Sequence, residues 1–249
     1  MIVRMVPGEG RRLVTIAMSF GAGGSGASPV RGLSDIRIEV ADDRGEKEFR
    51  PLQALIIGLE ESMIPAESGE LRRVAELGNL LAYRDLASPL VERTWTMLTQ
   101  PAEEPPFGEE VRWAQTLSIV VARATGVSPS AAVVARARRA QVERIVALFS
   151  GDRRLTPDTI AASLGVSRRS LYELAEPHFG GISEYIRTAR AMRAARMLAD
   201  ESFRDRSHAE IARATGFSST KHMTRALLAS NGLSPAALRP DTAEGRATA

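Results

Sequence analysis

Two short stretches of this 249-residue chain carry side chains suited to meeting a polyanion. The first is Ser167-Arg168-Arg169-Ser170-Leu171-Tyr172; the second runs from Ser218, Ser219 and Thr220 through Lys221 and His222 to Arg225. Guanidinium and ammonium groups pair with phosphate, and arginine also donates to guanine O6 and N7. Hydroxyl groups can serve either target. This is the chemistry of recognition by charge and hydrogen bond. Bond-making chemistry has a poorer basis. Cysteine is absent, which removes thiolate nucleophiles, disulfides and thiolate zinc sites. The three histidines, His178, His208 and His222, have no serine–carboxylate arrangement and no second ligand at metal spacing. No catalytic residue, metal or cofactor is therefore expected.

Each stretch follows the same device. "IAASLGVS" at 160–167 and "IARATGFS" at 211–218 match at the Ile, Ala, Gly and Ser positions with an offset of 51. Ile160, Leu164 and Ile211 would hold a first helix to the core, while Ala161 and Ala212 let a second helix cross closely. Gly165 and Gly216 take the turn, where positive φ is tolerated. Val166 and Phe217 plug the corner, and Ser167 and Ser218 can cap the second helix. Leu171 joins the expected core. Thr156-Pro157 and the capping box Ser207-His208-Ala209-Glu210 start the first helices; Gly232 and Ser234-Pro235 close the second unit. "VARATGVS" at 121–128 looks similar, but an alanine- and valine-rich helix follows it, so it reads as a helix corner only.

A helix over residues 183–199 would be about 25 Å long and could hold two recognition helices about one DNA turn apart. Arg187, Arg190, Arg193 and Arg196 recur every three residues on it and wind around its surface. They cannot all face phosphate. Arg190 is placed among the DNA-facing residues, and the others divide between that role and pairing with Glu184 or Asp200. Tyr172 can pack on its own unit or touch DNA.

The stretches "LTPDTIAASLGVSRRSLYEL", "ISEYIRTARAMRAARMLAD" and "SHAEIARATGFSSTKHMTRALLASNGLSPAALR" together resemble the DNA-binding domain of the AraC/XylS family of bacterial transcription regulators. Gly-Phe-Ser in the second unit and the Gly-x-Ser-Pro-x-x-x-Arg ending are the most diagnostic parts. The resemblance implies a seven-helix module whose two recognition helices enter successive major grooves. It also implies double-stranded promoter DNA as partner, RNA polymerase as a further one, and activator function among the family's roles. Met223 and Leu227 stand where the family usually has aromatics, Leu228 near a usual basic residue, and Glu173 at a place commonly basic. These departures weaken the implied phosphate grip. They motivate a second reading, a DNA-binding-impaired member that heterodimerises with an intact regulator.

Charge divides the chain in the same way. Residues 1–130 hold 14 basic and 18 acidic side chains, a net of −4, and residues 131–249 hold 19 and 12, a net of +7. A basic module that meets a polyanion and an acidic module with another task fit this asymmetry. The fold class expected is mainly α: an all-α double helix-turn-helix domain at 131–240, an N-terminal α+β domain at 1–130, and a disordered tail at 241–249. In the first sixty residues "RLVTIAMSF", the alternation Ile36/Ile38/Val40 and "LQALIIGL" read as strands, the last also as a helix. That is short for a cupin-like barrel, so a reduced or atypical sensor is expected, with an unnamed small-molecule effector as its partner. "GAGGSGASP" lacks the Gly-Lys-Ser/Thr ending of a phosphate loop and reads as a connector. Helices follow, one with Leu71, Val74, Leu77 and Leu81 on one face, and one starting at a Ser88 cap with Pro89 in its first turn. Residues 70–125 are the expected homodimer region, although an intradomain core would use the same stripe. No run of eighteen apolar residues suggests a membrane span, and the N-terminus lacks a secretory h-region. A cytoplasmic location is expected.

Overall fold

The computed structural model describes residues 12–20, 33–41, 54–99 and 107–239. The glycine-rich connector and the C-terminal tail lie outside the described residues. The chain divides into two compact units, Met1–Gln141 and Val142–Ala249, with the division inside a helix.

In the first unit three strands, β1 (Leu13–Phe20), β2 (Leu33–Ala41) and β3 (Ala54–Glu60), form an antiparallel sheet in the order β2-β1-β3. Ile16 stands opposite both Ile38 and Ile57, and Val14 opposite Val40 and Leu59. This register puts Val14, Ile16, Met18, Ile38, Ile57 and Leu59 into the core together. The described part of "LQALIIGL", from Ala54 on, thus resolves as a strand. Helices α1 (Ser68–Glu76), α2 (Arg84–Thr99) and α3 (Glu109–Thr125) follow. Trp113 is buried on α3 and donates its indole N–H to Thr94 Oγ1 at 3.1 Å, tying α3 to α2. Ser118 Oγ donates to the carbonyl of Pro65 at 2.6 Å, and buried Gln141 donates to the carbonyl of Met63 at 2.7 Å.

Two expectations change here. The helix expected to start at Ser88 begins at Arg84, so Pro89 lies inside it and Ser88 Oγ donates back to the Arg84 carbonyl at 2.8 Å. A 3₁₀ turn at Leu81–Tyr83 leads directly into the helix, which moves its start upstream of the proline. The stripe also divides. Leu71 and Val74 are fully buried intradomain core, but α1 stops at Glu76, leaving Leu77 57% exposed. An apolar crevice of about 20 Å³ opens between the sheet and α3, lined by Ile16, Ile38, Leu80 and Trp113. That is room for about one water, far below what an effector needs.

Helix α4 (Ala131–Phe149) leads into the second unit, which is all helical: α5 (Pro157–Leu164), α6 (Arg168–Phe179), α7 (Ile182–Ala199), α8 (His208–Ala214), α9 (Thr220–Asn231) and α10 (Pro235–Leu238). Ile160, Leu164, Leu171, Ile182 and Ile186 are buried in its first half. In its second half Ala191, Ala194 and Leu198 of α7 pack with Ile211, Phe217, Met223 and Leu227. Small residues on α7 let α9 approach closely, and Met223 and Leu227 are fully buried in this core. Among the described residues no helix is long and apolar enough to cross a membrane.

Candidate nucleic-acid interface

The two helix-turn-helix units are built from short-range signals. Thr156 caps α5 reciprocally with Thr159, and Pro157 occupies its first turn, where no N–H is needed. Gly165 ends α5 at φ +64°, and Ser167 Oγ accepts from Ser170 N at 3.1 Å to start α6. In the second unit Ser207 and Glu210 form the capping box of α8, and Gly216 takes φ +81°. The cap of α9 is Ser219, whose Oγ accepts from His222 N at 3.2 Å. Ser218 is therefore not the cap expected from the sequence. One extra residue in the turn moves the cap along, and Ser218 Oγ instead meets His222 Nδ1 at 2.7 Å.

In the first unit Arg168, Arg169 and Ser170 are exposed on the first turn of α6, while Tyr172 is half-buried. The Arg168 guanidinium lies 5.7 Å from the Tyr172 ring centroid and 3.4 Å from Asp158. The Tyr172 hydroxyl and the Arg168 guanidinium shift each other's titration: arginine's pKa is raised, chiefly by Tyr172. That of Tyr172 is lowered, first by Ser183, whose Oγ lies 3.5 Å from the phenol oxygen, and then by Arg168. Tyr172 thus turns back toward the start of α7. Arg169 pairs with Glu173 one turn on, at 2.8 Å.

The corresponding helix of the second unit, α9, is different. Thr220, Lys221, His222 and Arg225 are exposed, and neither Lys221 nor Arg225 makes an ion pair or hydrogen bond among the described residues. Leu228, one turn beyond, is 49% exposed.

Arg190 is used inside the domain. Its Nε donates to the carbonyl of Ser150 at 3.0 Å, and one Nη donates to those of Asp152 and Leu155 at 2.9 and 3.1 Å. Burial of the guanidinium lowers its pKa. The residue grouped with the DNA-facing side chains is thus a staple for the loop before α5. Arg187 pairs with Glu184, and the Arg193 side chain lies against Gly151.

The staple also closes a joint between the two units. A Cβ on Gly216 would stand 2.7 Å from the Ser150 carbonyl oxygen and 2.8 Å from Arg190 Nε. A Cβ on Gly151 would meet the carbonyl oxygen of Ala214 at 3.0 Å. The loop at Ser150-Gly151, which leads into the first unit, is thus pressed directly on the turn of the second. Gly216 is required twice over, by its φ and by this approach. The sequence showed a glycine at that turn but gave no sign of what presses on it. Arg239, at the end of the diagnostic "GLSPAALR", donates to the carbonyls of Arg204 and Arg206, fastening the last helix to the loop before α8.

No three metal-ligating side chains converge among the described residues. Residues 160–241 match the family model described as a helix-turn-helix domain. No curated protein matches the chain. Among solved structures, the chain is similar to the C-terminal domain of the two-component response regulator yesN from Fusobacterium nucleatum, at 18% identity over 41% of this chain and 97% of that one, with a TM-score of 0.37. It is similar to a transcriptional regulator (AraC-type DNA-binding domain-containing proteins) from Chromobacterium violaceum, at 26% identity over 43% and 94%, with a TM-score of 0.37. It is also similar to the C-terminal domain of AraT, a response regulator from Geobacillus stearothermophilus, at 25% identity over 43% and 83%, with a TM-score of 0.35. Residues 160–241 are a helix-turn-helix domain of the AraC type, a DNA-binding domain.

Proposed function

From this DNA-binding domain we infer that the chain is a sequence-specific transcription regulator whose two units read adjacent major grooves. The observation that carries the reading is the pairing of two capped recognition helices, α6 and α9, each with an exposed polar first turn. Helix N-termini and arginines anchor phosphates, and residues 167–172 and 218–225 supply base readout. No catalytic step is assigned to the chain. The N-terminal unit serves sensing and dimerisation, and exposed Leu77 and Ile119 support residues 70–125 as the homodimer surface. The domain limits proposed for these tasks are 1–130 and 131–240.

A heterodimerising partner with weak DNA grip is the second reading. It is favoured by the internal pairing of Arg168 and Arg169 and by the exposed Leu228. One experiment separates them: selection of random duplexes by the full chain at two salt concentrations. Enrichment of two sequence elements about one helical turn apart, with affinity falling steeply as salt rises, supports the regulator. Uniform weak binding without a motif sinks it and leaves the partner reading.

A further inference from the structure

We propose that the cleft between the two helix-turn-helix units is a phosphate clamp for the stretch of DNA backbone that runs between the two grooves. The proposal rests on the regulator reading above and adds residues that lie outside both recognition helices. The cleft holds about 550 Å³. Arg153 and the first turn of α5 form one wall, Arg187 and Arg190 of α7 the floor, and Ser218, His222 and Arg225 the other wall.

Four guanidinium groups line the concavity, and no carboxylate is among its lining residues. Their commitments differ. Arg190 is bound to three carbonyls, and Arg187 is paired with Glu184 at the surface. Arg153 and Arg225 are exposed and make no ion pair or hydrogen bond among the described residues. Unpaired cations lining one concavity focus a positive potential into it, which favours an anion. The backbone on either side of Arg153 is fixed, because the carbonyls of Asp152 and Leu155 accept from Arg190.

The occupant is a polymer and not a small anion, for a reason of continuity. Ser218, His222 and Arg225 belong both to the cleft wall and to the exposed start of α9. A duplex whose bases meet α9 therefore brings its own phosphates to the mouth of the cleft. Contacts of this kind add affinity without reading sequence.

The test uses the full chain with Arg153→Ala, Arg187→Ala and the charge reversal Arg153→Glu. Affinity for a selected duplex and for a random duplex is followed by fluorescence anisotropy across a range of salt. Each alanine variant should weaken both duplexes by the same factor and reduce the slope of log K against log salt by about one. Arg153→Glu should do more, and the selected motif should be unchanged. Circular dichroism melts show that each variant is folded. If the wild-type chain selects no motif, the regulator reading fails. If it selects one but the salt slope is unmoved in all three variants, the clamp alone fails. Calorimetric titration with inorganic phosphate provides the remaining arm. Saturable binding abolished by Arg153→Ala, with DNA binding intact, overturns the clamp and gives the cleft to a small anion.

Discussion

In the first helix-turn-helix unit Arg168 is shared between Tyr172 and Asp158, and Arg169 is paired with Glu173; in the second, Lys221 and Arg225 face solvent with no partner among the described residues. The turns differ as well. A Cβ on Gly165 would meet nothing within 4 Å, whereas one on Gly216 would run into the Ser150 carbonyl. Two copies of one sequence device have therefore taken different parts. The second is locked in place and offers free cations, while the first is sterically open at its turn and keeps its cations partly occupied. Likeness of motif does not imply equal contribution to binding.

The largest way to break this contrast is at the glycines. Both occupy the left-handed region, which costs a residue with Cβ about 1–2 kcal/mol. Gly165→Ala should lose about that much. Gly216→Ala adds a clash against backbone that cannot step aside, and should lose more than about 3 kcal/mol. Urea denaturation of the two variants measures the difference; equal losses would remove the joint from the account.

A smaller effect sharpens the electrostatic half. Removing Lys221 and Arg225 together should weaken binding to a selected duplex about tenfold or more, and removing Arg168 and Arg169 together about threefold. The gap arises because cations in the first unit must leave an internal partner before they can serve DNA, even though such exposed pairs are individually weak. Titrations at one fixed salt concentration compare the two pairs. A larger loss from the first pair would reverse the assignment.

The smallest effect concerns acid. Glu210 accepts from the Ser207 backbone N–H, and this with the Ser207 hydroxyl holds its pKa below the ordinary 4.5. The Arg154 guanidinium does the same for Asp152 in the loop before α5. Groups depressed in the fold contribute stability above their unfolded pKa and lose it as pH falls through the folded one. Melting temperature should therefore fall below about pH 4.5, and Glu210→Gln, which can still cap, should flatten that limb while changing little at neutral pH. An unchanged acid limb in the variant would assign it to other carboxylates.

What could be read from the sequence was what depends on near neighbours. The caps at Thr156, Ser167 and Ser207, the turns at Gly165 and Gly216, and the apolar positions Ile160, Leu171, Ile211 and Phe217 are written within a few residues of where they act. The misplaced cap at Ser218 was a one-residue ambiguity between adjacent serines. Arg190 was different in kind. Its three acceptors lie 35 to 40 residues away, and no local pattern separates it from the other arginines at the same spacing. Arg153 carries no local signal for the same reason, since its neighbours in the cleft come from α7 and α9. The early start of α2 upstream of Pro89 likewise depended on a turn that the proline signal masked.

On the proposed reading, in which the two units enter adjacent grooves, the pressed contact between Ser150-Gly151 and Gly216 has a consequence for the nucleic acid. A flexible tether would let each unit find its own groove and would tolerate a range of spacings. A rigid one makes the second encounter intramolecular at high effective concentration, but only for a duplex whose two elements stand at the angle the joint prescribes. Any mismatch in that angle is then taken up by the DNA, whose resistance to bending depends on the steps between the elements. Base pairs that no side chain touches would thereby enter the specificity of the protein through their stiffness.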